Sequence, residues 1–172
     1  MTRTVIQYIV LFIVMVLVQV ICNRICLFNV AVPLVFIFFI LRLPVNLSTN
    51  WVLTLSFVIG LIVDIFSNTQ GMNALSCTIL GGLRKPIFSL YCPREDDMSN
   101  PIPSINSLGV GVFVKYVFTM TMLFCVLTFV IQSFTFFNFQ LTLLRIVCSG
   151  VLTSVLIFGF DSLTSAHREK RL

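Results

Sequence analysis

Four ionisable residues lie within or at the edges of the long apolar runs of this 172-residue chain: Asp64, Lys115, Arg145 and Asp161. A charged group in lipid is costly, and by default it indicates a functional or paired residue. By depth, Asp64 could pair with Arg145 near one membrane face, and Lys115 with Asp161 near the other. The alternatives are that Lys115 and Arg145 snorkel to the nearest interface, and that Asp64 caps the end of its helix.

The residue patterns of catalytic and metal sites do not occur in the sequence. The single histidine, His167, lies in the basic tail, so it cannot complete a Ser-His-Asp triad, and HExxH, P-loop and GxGxxG motifs are missing. Cys22 and Cys26 are one helical turn apart, which fits either a metal or redox pair or, as we prefer, two interfacial apolar residues. We therefore predict no enzyme, no cofactor and no metal, with intramembrane aspartate chemistry as the one enzymatic alternative.

The apolar runs that carry these residues predict an integral membrane protein. Hydrophobic residues make up 58% of the chain and charged residues 10%, whereas soluble domains hold about 45–50% and about 25%. A spanning helix needs roughly 20 apolar residues, and the alternation typical of a barrel is missing. The sequence thus predicts an all-α protein of about six transmembrane helices in one bundle. The predicted spans are 5–22, 28–42, 50–66, 71–84, 108–131 and 141–163, in a single polytopic domain over 1–172.

Two of these spans are weaker than the others. Span 28–42 contains Pro33, and span 71–84 is short and ends at Arg84. We interpret both as kinked, tilted or partly re-entrant. The polar loop that follows, 84–107, is the largest predicted soluble surface, either a partner contact or a solvated linker.

The net charge of +5 reflects membrane orientation rather than nucleic-acid binding, because the basic residues flank the apolar runs. If the N-terminus is cytoplasmic, the outer loops hold only Arg24. The basic residues of the inner segments are then Arg3, Arg42, Arg84, Lys85, Arg94, Arg168, Lys170 and Arg171. This bias predicts that both termini are cytoplasmic.

Small residues indicate where helices approach closely. Gly150 and Ser154 form a small-xxx-small pair in the sixth predicted span. Such a pair lets two helices touch, either within the protein, which we favour, or with a helix of a partner.

The segment 60–75 resembles the signature of the rod shape-determining protein MreD family. In that family a Gly-x-x-x-Asp turn ends one span, a short polar turn follows, and a glycine opens the next span. The matching residues here are Gly60, Asp64 and Gly71, with Ala74 one turn further on. Elsewhere the similarity covers chain size, number of spans and the basic C-terminal tail rather than residue identity.

The resemblance implies a non-enzymatic membrane scaffold of the bacterial cell-elongation machinery. It would act in cell-shape determination and lateral peptidoglycan synthesis in the bacterial cytoplasmic (inner) membrane. The implied partners are MreC, RodA with its transpeptidase partner, and the actin-like MreB. The resemblance also implies a fold similar to the substrate-binding subunits of energy-coupling-factor transporters.

That similarity supplies the alternative function, a vitamin-binding membrane subunit. One tryptophan, three tyrosines and short outer loops argue against a ligand pocket near the outer face. A transporter or channel acting alone is the third hypothesis, and it would need a series of polar groups across the spans, which the sequence does not contain.

Overall fold

The computed structural model describes residues 2–22, 33–69, 71–92, 103, 105–132 and 139–169, and all regular elements among them are α-helices. The all-α prediction is confirmed for these residues. The helices are α1 Thr2–Cys22, α2 Ile37–Arg42, α3 Thr49–Ser67, α4 Met72–Tyr91, α5 Ile105–Leu108, α6 Val110–Gln132 and α7 Phe139–Glu169.

Three helices in the described part of the chain are long and apolar enough to cross a membrane. They cover Thr49–Ser67, Val110–Gln132 and Thr142–Ser162, close to three of the predicted spans. A shorter apolar helix covers Ile6–Cys22 within the first predicted span. Much of the outward surface of these helices is apolar, as expected for helices in contact with lipid.

Helix α4 continues further than the sequence predicted. The prediction placed the end of the span and the start of a polar loop at residue 84, but the helix runs through Pro86 to Tyr91. Its last turns are held by packing: the ring of Phe88 stacks edge-on against Tyr116 at 5.5 Å between centroids. The Tyr91 hydroxyl also bonds to Thr119 at 2.8 Å. Residues 93–102 and 104 of the predicted loop lie outside the described residues.

The second predicted span is not one continuous helix. Residues 28–32 lie outside the described part, residues 33–36 are not helical, and only Ile37–Arg42 form a short helix. Every residue from 33 to 43, here named the central segment, is buried. The break before α2 is compatible with each of the three readings of this span, as kinked, tilted or partly re-entrant.

The central segment lies in the middle of the hydrophobic core. Phe36 packs edge-on against Phe124 of α6 at 5.6 Å, and Phe39 packs edge-on against Phe12 of α1 at 5.2 Å. Phe38 also lies 6.4 Å from Phe160 of α7. Irregular backbone at this depth is tolerated because it is surrounded by protein rather than by lipid.

Candidate functional site

The chain reverses direction between α3 and α4 in a tight turn. Asn68 has φ 55° and Gly71 has φ 75°, both in the left-handed region that favours glycine and asparagine. Gly71 is also the N-cap residue of α4 and has no side chain with which to cap it. The first N–H groups of α4 therefore need an acceptor from elsewhere.

Asp64, in the last turn of α3, supplies that acceptor. Its Oδ2 accepts a bond from the Ala74 N–H at 2.8 Å, and its Oδ1 accepts one from the Asn73 N–H at 3.1 Å. The Asn73 amide, at 2.8 Å, and the Thr69 hydroxyl also donate to Oδ1. The carboxylate is only 4% exposed. One side chain of α3 thus caps the N-terminus of α4, where a negative charge is favourable.

The same two helices touch through their backbones at Gly60. A Cβ atom added there would lie 2.6 Å from the Ala74 Cα and 2.7 Å from the Asn73 carbonyl oxygen. Only glycine fits such an approach. We call Gly60, Asp64, Thr69, Asn73 and Ala74 the hairpin cluster. All of them belong to the 60–75 segment, and all except Thr69 are buried.

Asp64 does not pair with Arg145, although their equal predicted depth allowed it. The carboxylate is already bonded to the turn and to α4, whereas Arg145 is exposed on α7. Arg145 forms no ion pair with any residue that the structure describes. Depth along a helix does not determine which way a side chain faces, so the pair that equal depth allowed does not form.

Asp161 has a different partner from the one predicted. Its Oδ1 lies 2.6 Å from the Arg42 guanidinium of the central segment, and its Oδ2 accepts a bond from the Ile105 N–H at 3.3 Å. Asp161 is fully buried, while Lys115 is exposed on α6. The Arg42 guanidinium also lies over the Phe38 ring, 5.4 Å from its centroid. The predicted Lys115–Asp161 pair is therefore replaced by a pair that joins α7 to the central segment.

The non-helical start of the central segment is held by two side chains that the sequence analysis did not single out. Gln19 of α1 donates to the Pro33 carbonyl at 3.0 Å and accepts from the Val35 N–H at 2.9 Å. Thr153 of α7 accepts from the Leu34 N–H at 3.1 Å. The one available signal was an amide within the apolar run of α1.

Gly150 and Ser154 both lie in the interior. A Cβ atom on Gly150 would meet the Met122 sulfur of α6 at 2.6 Å, so the glycine lets α6 and α7 approach closely. Ser154 bonds to the Gly150 carbonyl of its own helix at 2.8 Å. This pair therefore packs two helices of the same chain.

The residues of these clusters cap a helix end, bond neighbouring segments to one another, and allow helices to pack closely. Among the described residues, no group of three His, Cys, Asp or Glu side chains is placed to hold a metal ion. Cys22 is described, but Cys26, its predicted neighbour, lies outside the described part. The chain matches no protein-family model, no curated protein and no solved structure.

Proposed function

We propose that this chain is a non-enzymatic membrane scaffold of the bacterial cell-elongation machinery, similar to the MreD family. The observation that carries the proposal is the hairpin cluster, because the signature positions Gly60, Asp64 and Ala74 meet there. A signature that builds a turn between two helices suits a protein that presents a surface to partners. The chain would lie in the bacterial cytoplasmic membrane with six crossings and both termini inside.

The role of Asp64 in this proposal is to position α4 against α3. Its two carboxylate oxygens accept bonds from Thr69, Asn73 and Ala74, so the group acts on the fold. Around the cluster, large apolar side chains face outward: Ile65 is 69% exposed and Phe66 is 62% exposed. A rigid hairpin that displays apolar side chains offers a helix of MreC a defined surface to pack against.

Further partners in the proposal are RodA with its transpeptidase partner, and MreB. The alternative, a vitamin-binding subunit similar to those of energy-coupling-factor transporters, needs a pocket that encloses a small molecule. A cavity beside α3 and α4 measures about 20 Å³, which is close to the space that one water requires. The cavity thus gives no support to vitamin binding.

The test is a mild-detergent pull-down of the tagged protein from native membranes, with mass spectrometry of proteins and bound small molecules. Two variants of Gly71 sharpen it, because a Cβ at this position meets nothing within 4 Å and acts only through the backbone. Gly71→Asn keeps a residue that tolerates positive φ, whereas Gly71→Val introduces a β-branched residue that does not.

We expect MreC to be recovered with the wild type and with Gly71→Asn, and to be reduced with Gly71→Val. Size-exclusion elution of each purified variant shows whether the protein is still folded. Equal recovery of MreC from all three proteins would show that the hairpin does not contribute to the MreC interface. A stoichiometric vitamin or an ATPase module, without any cell-wall partner, would overturn the scaffold in favour of transport.

A further inference from the structure

Helix α5 is bound to the bundle through Asp161 of α7. The N–H of Ile105, the first residue of α5, donates to Oδ2 of Asp161 at 3.3 Å. The other carboxylate oxygen, Oδ1, pairs with Arg42 of the central segment at 2.6 Å. One fully buried carboxylate therefore holds both α5 and the end of the central segment.

The contacts that keep α5 in this position are weak. The helix is four residues long, and the side chains of Ile105 and Leu108 are half-buried against the hydrophobic core. A helix of this length is not stable on its own. Its bond to Asp161, at 3.3 Å, is longer than the usual N–H···O distance of about 2.9–3.0 Å. Segments with few buried contacts open at a lower free energy than the core, so we expect α5 to detach more readily than α6 or α7.

The single residue between α5 and α6, Gly109, determines where α5 points. Its φ of 77° lies in the left-handed region, and its N–H bonds to the Ile105 carbonyl at 3.0 Å. A glycine in this conformation commonly ends a helix. The left-handed residue bends the chain, and the bend brings α5 against α7 instead of letting it continue the axis of α6.

Gly109 gives the chain a second conformation at this point. Glycine adopts left-handed and right-handed backbone conformations with similar ease, and a Cβ at residue 109 would meet nothing within 4 Å. With Gly109 in the right-handed conformation, residues 105–132 would form one helix, about 42 Å long. The N–H groups of residues 110–112 would then bond to the carbonyls of 106–108, which offsets the loss of the bond to Asp161.

We propose that α5 is a strap hinged at Gly109, which alternates between a bent state docked on Asp161 and a straight state that extends α6. In the straight state Asp161 loses one of its two bonds, and water reaches its pair with Arg42. The strap and the central segment are thereby coupled through one carboxylate. This device goes beyond the scaffold function and involves no residue of the hairpin cluster.

The test is amide hydrogen exchange of the full-length protein in mild detergent, resolved to single amides by fragmentation mass spectrometry. Gly109→Ala disfavours the left-handed conformation and should shift the equilibrium about tenfold towards the straight state. The Ile105 amide, which is bonded to Asp161 only in the bent state, should then exchange about tenfold faster. The amide of residue 109 should stay protected, because it bonds to the Ile105 carbonyl in both states.

Two further variants are matched controls. Gly109→Asn keeps a residue that tolerates positive φ, so the Ile105 amide should exchange at close to the wild-type rate. Gly111→Ala makes the same chemical change as Gly109→Ala two residues further on, where a Cβ also meets nothing within 4 Å but the glycine has no positive φ. It should leave the Ile105 amide unchanged.

Faster exchange of the Ile105 amide in Gly109→Ala alone, with residue 109 still protected, would support the hinged strap. Equal exchange in Gly109→Ala and Gly109→Asn, or an Ile105 amide unprotected in the wild type, would overturn it. Faster exchange of residue 109 together with Ile105 would mean that α5 unfolds rather than pivots, and faster exchange throughout α6 and α7 would mean general destabilisation. Both results would overturn the proposal.

Discussion

The hairpin cluster and the central segment both bury polar groups, but they satisfy them over very different distances along the chain. All bonds to Asp64 come from residues within ten positions of it. The central segment depends on Thr153 and Asp161, each 119 positions from its partner. A polar cluster built from neighbouring residues leaves a recognisable sequence motif, whereas one built from distant helices does not.

The largest expected effect is on the central segment. Asp161→Leu should lower the free energy of unfolding by about 3–5 kcal/mol, because Arg42 then stays buried without its counter-charge. The double variant Arg42→Met with Asp161→Leu should recover most of that loss, since it removes both charges. Unfolding in detergent, followed by circular dichroism during titration with dodecyl sulfate, measures both. A single variant as stable as the wild type would show that this pair does not hold α7 to the core.

A smaller effect is expected in the hairpin cluster. Gly60→Ala should lower stability by about 1–3 kcal/mol, because the added methyl group would press on the Ala74 backbone. Gly82→Ala is the matched control in α4, where the new Cβ meets only the Leu53 side chain at 3.6 Å. That control should be neutral or stabilise by up to about 1 kcal/mol through helix propensity. Equal stability of the two variants in the same titration would argue against close contact of the backbones.

The smallest effect should come from Gln19. Gln19→Leu introduces an apolar side chain of similar size but leaves the Pro33 carbonyl and the Val35 N–H without partners, each at a cost of about 1–3 kcal/mol. Burial of the leucine side chain offsets part of that cost, so the net loss should be about 1–2 kcal/mol. Gln132→Leu, at an exposed position of α6, should change stability by less than about 0.5 kcal/mol. Hydrogen exchange gives the decisive measurement: the Val35 amide should lose protection in Gln19→Leu alone. Unchanged protection would mean that another group satisfies this amide.

The sequence predicted well what depends on local pattern. The apolar runs placed α3 to within a residue or two. The family resemblance drew attention to Gly60, Asp64 and Gly71, which lie at the turn where Asp64 caps α4. The path of the central segment could not be predicted, because its bonds to Gln19 and Thr153 depend on which helices become neighbours.

The partners of the buried charges could not be predicted from the sequence for a related reason. By depth the sequence analysis offered only Lys115 to Asp161, and the packing of the bundle brings Arg42 to it instead. Helix α4 passed its predicted end because contacts of Phe88 and Tyr91 with α6 stabilise the turns beyond Pro86. Local propensity contains no information about either contact.

The central segment also has a consequence for biosynthesis. Its partners Thr153 and Asp161 are translated 119 residues after Leu34 and Arg42, which corresponds to roughly 6–24 s at ribosomal speed. During that interval the Arg42 charge and the Leu34 N–H have not yet met these partners. The core therefore cannot close around the central segment until α7 has been synthesised, and before then the segment depends on temporary contacts.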